Sequence, residues 1–219
     1  MKTLLKCSLL LSTLVLCASA PAEKAGPAVG PTAVIVPFDP PVDANGNPLV
    51  DPAVYNGFCP EGPSPIVGPN GQPVTLSKWL QANGTASLKC QGNGTRVTVN
   101  LSGLIPNGVY SIWVVVFGPG PADPNGANLL GAGALGRADG TQNHFVASPN
   151  GTGQLNVIQP AGVLSFIPYN IGSCLLSDSR IGEVQLHVGY HIDGQTHGGV
   201  PGPDCDLAIP LAFSFVTGH

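Results

Sequence analysis

Between Glu183 and Asp193 the chain reads EVQLHVGYHID, and apolar and polar residues alternate without a break. Val184, Leu186, Val188, Tyr190 and Ile192 share one parity; Glu183, Gln185, His187, Gly189, His191 and Asp193 share the other. Successive side chains of a strand point to opposite faces, so a period of two held over this length specifies a β-strand with one apolar face. The same alternation recurs at Val97, Val99 and Leu101, and again at Leu207, Ile209, Leu211, Phe213 and Phe215. Pro210 interrupts the last run; lacking an N–H, it requires an edge strand or a bulge there.

Tyr110–Phe117 (YSIWVVVF) is apolar on both parities, the pattern of a central strand covered on both sides. Further strands are expected around Leu155 and Val157 and at Val163–Ile167, with Gly118–Asn143 as a long connection. The only helical signal is a short turn at Leu76–Ala82. Thirty glycines, 23 prolines and a charged fraction of 9% supply turns rather than helices. The expected class is all-β, a sandwich of packed sheets.

Lys2 and Lys6 precede an apolar run, Leu4–Leu16, followed by small residues. This is the layout of a secretory signal peptide, with cleavage after Ala22. The run is too short to span a bilayer, and no stop-transfer segment follows, so no membrane span is expected. Residues 23–74 form a Pro/Gly-rich arm with Asn-Gly turn signals at Asn45, Asn56 and Asn70; residues 75–219 form the sandwich. Outside the leader, Cys59, Cys90, Cys174 and Cys205 remain, and an exported chain with four cysteines is expected to hold two disulfides. Nearness in sequence favours Cys59 with Cys90 and Cys174 with Cys205. None forms a Cys-x-x-Cys pair.

Leu104-Ile105-Pro106-Asn107-Gly108-Val109-Tyr110 lies between two expected core strands. Its Leu-x-Pro-x-x-x-Tyr form resembles the tyrosine corner of fibronectin type III and other immunoglobulin-like sandwiches. The resemblance implies a Greek-key, immunoglobulin-like sandwich in which the Tyr110 hydroxyl bonds back to the turn. It implies nothing about function.

The basic residues beyond the leader, Lys24, Lys78, Lys89, Arg96, Arg137 and Arg180, are scattered among twelve acidic ones, which excludes a nucleic-acid footprint. No Gly-x-Ser-x-Gly, His-Glu-x-x-His or phosphate-binding loop is present, and no catalytic residue is assigned. The segment that carries chemistry is Glu183–His197. Its parity places Glu183, His187, His191 and Asp193 on an exposed polar face; with His197 they are the expected ligand-binding residues.

A second reading makes His187, His191 and His197 a copper or zinc site. Against it, strand positions four apart lie roughly 13 Å from one another at about 3.3 Å per residue, too far to share an ion unless Gly189 bulges. A two-residue turn at Asp193-Gly194 would also carry His197 to the opposite face, whereas a longer loop would leave His197 free to approach His191. A third reading, sugar binding, needs exposed aromatics and rests on Trp79. The leading expectation is a secreted, non-enzymatic binding or surface-interaction protein without a cofactor, whose partners are extracellular proteins or glycans.

Overall fold

The computed structural model describes residues 34–36, 45, 47, 53–56, 59–60, 62, 64–120, 122–123 and 126–217. The expected signal peptide, residues 1–22, lies outside them. In chain order the elements are β1 (Val34–Val36), β2 (Tyr55–Asn56), β3 (Ser64–Pro65), α1 (Leu76–Trp79), β4 (Asn83–Cys90), β5 (Gly94–Ser102) and β6 (Val109–Phe117). They continue with β7 (Leu129–Ala134), β8 (His144–Val146), β9 (Gly153–Pro160), β10 (Gly162–Val163), β11 (Asn170–Ile171), β12 (Glu183–His191) and β13 (Leu207–Val216).

Two antiparallel sheets enclose the main core. One has the order β1-β13-β12-β6-β7, with β8 also paired to β6; the other is β4-β5-β9. Val97, Val99 and Leu101 of β5 meet Ile112, Val114 and Val116 of β6, together with Val184, Leu186, Val188 and Tyr190 of β12. On β5 and β12 these are the alternating apolar positions, so period-two patterning specifies their inner faces; β6, apolar on both parities, adds one of its two sets. The fold is all-β with two disulfides, its two larger sheets packed as a sandwich.

The crossing from β5 to β6 is the tyrosine corner. The Ile105 N–H donates to the Tyr110 hydroxyl at 2.9 Å. Burial pushes the Tyr110 pKa up, which keeps that hydroxyl neutral. Asn107 takes φ 59° in the turn, a conformation Asn tolerates better than most residues.

The short helix begins at Thr75, whose side chain accepts from the Lys78 N–H, the usual N-cap bond. It turns Trp79 into the core at 4% exposure. The partly exposed Trp79 expected from sequence is therefore corrected: its flanking residues are polar, but the helix phase points the indole inward.

Several expectations change here. The segment 118–143 is not one long connection, because it contains β7, a strand reading LLGAGA. Its small residues hid it from patterning, and they have a reason: a Cβ at Gly133 would sit 2.6 Å from the Ser165 amide nitrogen. The chain at 165–167 lies flat on β7, with mutual bonds between Ala132 and Ile167. Pro210 meets its expectation by the second route: β13 is an interior strand, and Pro210 sits at the bulge where the β12–β13 register shifts between Val188 and Tyr190.

The disulfides join Cys59 to Cys205 and Cys90 to Cys174, at Cα separations of 4.8 and 5.6 Å. The pairing by sequence nearness is overturned because the sandwich brings distant segments together. Cys90–Cys174 ties the end of β4 to the segment before β12. Cys59–Cys205 ties the N-terminal arm to the connection before β13. The arm is also held by Val54, Ile66 and Val74 in the core and by the Asn56 side-chain amide, which donates to the Leu207 carbonyl at 3.0 Å. No helix among the described residues is long and apolar enough to cross a membrane.

Candidate functional site

β12 runs through the middle of the larger sheet, between β6 and β13. Its apolar parity faces the main core, and its polar parity faces the outer side. The expectation that this outer side is exposed is corrected: every residue from Glu183 to His191 is buried. The cover comes from far away in sequence. Ala122, Leu129 and Ile167 pack over Val115, Phe117 and Ala132 on the same outer surface, and Trp113 stands beside His187 in register. Asp193 and His197 lie beyond the strand and keep partial access to solvent, with side-chain exposures of 22% and 23%.

The buried polar residues divide into two sets. The first is a chain of hydrogen bonds along Glu183, Gln185 and His187. The Glu183 carboxylate accepts from Ser214 Oγ at 2.6 Å and Gln185 Nε2 at 2.8 Å on one oxygen, and from the Ala122 N–H at 3.1 Å on the other. A carboxylate can only accept here, so it orients the Gln185 amide with its nitrogen inward. The Gln185 oxygen then accepts from His187 Nε2 at 2.7 Å, which fixes the imidazole tautomer. Burial holds the His187 pKa down at about 4, so the ring is neutral at ordinary pH. No polar side-chain atom in this set is buried without a partner. It is a satisfied network, sealed from solvent.

The second set lies at the end of β12. His191 is 1% exposed. Its Nε2 lies 2.8 Å from Ser111 Oγ, and that oxygen accepts from Trp113 Nε1 at 2.8 Å. Its Nδ1 is buried with no hydrogen-bond partner. Beyond it the chain turns: the Gly194 N–H bonds the His191 carbonyl, and Gly194 takes φ 72°. Asp193 Oδ1 accepts from the Gln195 N–H at 2.9 Å, while Oδ2 lies 2.9 Å from His197 Nε2. The His191 and His197 ring centroids are 5.8 Å apart. One ligand atom each from His191, Asp193 and His197 lie within 4.8 Å of one another. Burial holds the His191 pKa down at about 4; Asp193 opposes the shift, and the His197 and His144 rings add to it.

This corner differs from the trio drawn from sequence. His191 and His197 come together, but His187 does not join them; Asp193 takes its place. Of the two connections weighed, the longer loop is the one present, because β12 ends at His191 and β13 starts only at Leu207. The intervening 192–206 segment carries His197 back to His191 instead of to the opposite face. It is held by close backbone crossings that only glycine permits: a Cβ at Gly140 or Gly199 would overlap the facing backbone of Gly198 or Ala138. A Cβ at Gly202 would overlap the His197 ring itself. Ser165 Oγ also donates to the Gly199 carbonyl at 3.0 Å. Sequence reasoning missed Ser111 and Trp113; Ser111 was the one legible clue, a hydroxyl inside the otherwise apolar run YSIWVVVF.

No protein-family description matches the chain, and no curated protein matches it. Among solved structures it aligns with a penta-heme cytochrome c552 from Thermochromatium tepidum at 10% identity, with a TM-score of 0.31. The alignment covers 64% of this chain and 40% of that one, so the chain spans less than half of that protein's length. A likeness this slight carries no argument about fold or function.

Proposed function

We propose that this is an exported, disulfide-braced, non-enzymatic binding protein whose recognition site is the corner formed by His191, Asp193 and His197. One observation carries the reading: three polar side chains from the end of β12 and its following loop converge within 4.8 Å. Elsewhere the polar groups of β12 are consumed internally. Two tight backbone crossings and the nearby Cys59–Cys205 bridge hold the loop, so little ordering remains to oppose binding. The four cysteines paired as two disulfides suit an oxidising compartment, and the Lys2–Ala22 segment supplies the export signal.

Sugar binding through tryptophan has weaker support, since Trp79 and Trp113 are 4% and 5% exposed. The export half of the reading is tested by N-terminal sequencing of the protein collected outside the cytoplasm, which should begin at Glu23. The recognition half is tested by titrating the ¹⁵N-labelled mature chain with soluble glycans, short peptides and divalent ions. Amide shifts concentrated at residues 191–202 and 138–144 are expected. Shifts centred on the outer surface of β4-β5-β9 would move the site elsewhere and overturn the assignment.

A further inference from the structure

We propose that the corner is a mononuclear site for a divalent first-row transition metal, with His191 Nδ1, an Asp193 carboxylate oxygen and His197 Nε2 as its protein ligands. The proposal rests on the corner being the recognition site and names what it recognises.

The strongest observation is the state of His191. A ring nitrogen buried at 1% residue exposure without a partner is costly, because it has lost water and gained nothing. The other side of the same ring explains what Nδ1 is for. Trp113 Nε1–H can only donate, so Ser111 Oγ accepts it and has a second lone pair left. Filling that lone pair from His191 Nε2–H selects the tautomer with a bare lone pair on Nδ1. Metal-bound histidines are oriented in this way, through a hydrogen bond from the nitrogen that does not bind. The Trp113–Ser111–His191 chain is thus the outer shell of a ligand, built from residues on β6 and β12.

The other two donors are positioned independently. Asp193 spends Oδ1 on the Gln195 N–H, which leaves Oδ2 facing His197 Nε2 at 2.9 Å. A cation can replace the proton held between those two atoms. The His197 ring is backed by Gly202, where a side chain would displace it. Donors around a tetrahedral ion at 2.0–2.1 Å stand roughly 3.4 Å apart. The present spread of up to 4.8 Å closes to that by side-chain rotation of Asp193 and His197, which both lie in the loop rather than on a strand.

The donor set narrows the metal. Two imidazoles and one carboxylate suit zinc, copper(II), nickel or cobalt(II); calcium and magnesium prefer all-oxygen shells, and copper(I) prefers sulfur. All four described cysteines are committed to disulfides. Three protein ligands leave a coordination position open, and the partial exposure of Asp193 and His197 places that position toward solvent.

The test uses the untagged mature chain, stripped with a chelator and titrated with Zn(II) and, separately, Cu(II) by calorimetry. One ion per chain is expected, together with the intense visible bands of a four-coordinate site when Co(II) is used. His197→Ala and Asp193→Asn, both in the loop, should each weaken binding by at least about tenfold, and Ser111→Ala by roughly 10–100-fold, the usual effect of losing an outer-shell partner. His187→Gln should leave affinity unchanged. Absence of one-to-one binding by either ion would overturn the proposal, as would binding that His197→Ala and Asp193→Asn leave intact. If metals are inert but glycans or peptides still shift residues 191–202, the metal assignment fails and the recognition site survives. If nothing shifts those residues, both fail.

Discussion

Glu183–Gln185–His187 and His191–Asp193–His197 belong to one stretch of chain and begin on one face of one strand, yet they are built to opposite ends. In the first, each polar group answers another: carboxylate to amide, amide to imidazole, with Ser214 and the Ala122 N–H completing the acceptor side. In the second, a buried nitrogen has no answer, and two of the three donors reach solvent. The division falls at Gly189, where the β12–β13 register shifts. A satisfied buried network contributes rigidity and specificity; an unsatisfied one costs stability. The two histidines of β12 therefore stand in different surroundings although patterning makes them equivalent.

The strongest perturbation of this contrast is removal of the Cys59–Cys205 bridge. It closes a sequence separation of 146 residues, for which the chain-entropy account gives up to about 5 kcal/mol. The double change Cys59→Ser with Cys205→Ser should lower unfolding free energy by roughly 2–5 kcal/mol in urea titration. Hydrogen exchange should rise first at 192–206, while the amides of Glu183–His187 stay protected. Equal loss of protection in both regions would show that the bridge braces the whole sheet and not the corner.

Breaking the sealed network should be nearly as costly but spare the corner. Glu183→Ala removes the acceptor for three donors, leaving the Gln185 amide, the Ser214 hydroxyl and the Ala122 N–H unpaired. A loss of roughly 2–4 kcal/mol is expected, measured by denaturant unfolding. Glu183→Gln should recover part of it by restoring one acceptor oxygen. Affinity at the corner should not change.

Acid should reach the sealed network through His187. The folded protein keeps this ring neutral down to about pH 4, whereas the unfolded chain protonates it near pH 6.5. Between those values the unfolded state binds more protons, so stability falls as pH falls. The contribution is intact above about pH 6.5 and is lost progressively toward pH 4, by at most about 3 kcal/mol. His191 adds a parallel slope, so the measurement is the difference between the wild-type protein and His187→Gln across pH 4–7. His187→Gln keeps a donor for the Gln185 oxygen and removes the titration; an unchanged slope would show that His187 is not neutral in the fold.

What patterning could and could not reach follows from range. Alternation identified β5, β12 and β13, and an unbroken apolar run identified β6; alternation also separated the two faces of β12 correctly, because these patterns are local. The corner Tyr110 was legible for the same reason: Leu104 to Tyr110 is one short turn. The burial of Glu183 and His187 was not legible, since Ala122, Leu129 and Ile167, which pack on that outer surface, lie far away in sequence and come over it only through the tertiary fold. β7 escaped because LLGAGA carries no β-branched residue, a composition imposed by the backbone of 165–167 lying against it. The disulfide partners and the approach of His197 to His191 both depend on how 192–206 folds back, a matter of tertiary packing that no spacing encodes.

The smallest effect is the most specific to the corner. Gly202 takes φ 100°, and a Cβ there would fall 2.3 Å from Cδ2 of the His197 ring. Gly202→Ala asks an L-residue to hold a left-handed conformation and places a methyl where the imidazole lies. The cost in stability should be about 1–2 kcal/mol, the usual range for a strained backbone position, visible as a modest drop in Tm. The larger consequence should be positional. If the ring moves, His197 Nε2 leaves Asp193 Oδ2, and the corner loses its preorganised pair while the Glu183–Gln185–His187 chain is untouched. The expected signature is therefore a selective shift of the His191 and His197 ring signals in NMR, with those of His187 unmoved. A Gly202→Ala protein in which all three rings keep their chemical shifts would mean that the loop absorbs the methyl. His197 would then be held by its bond to Asp193 rather than by the glycine behind it.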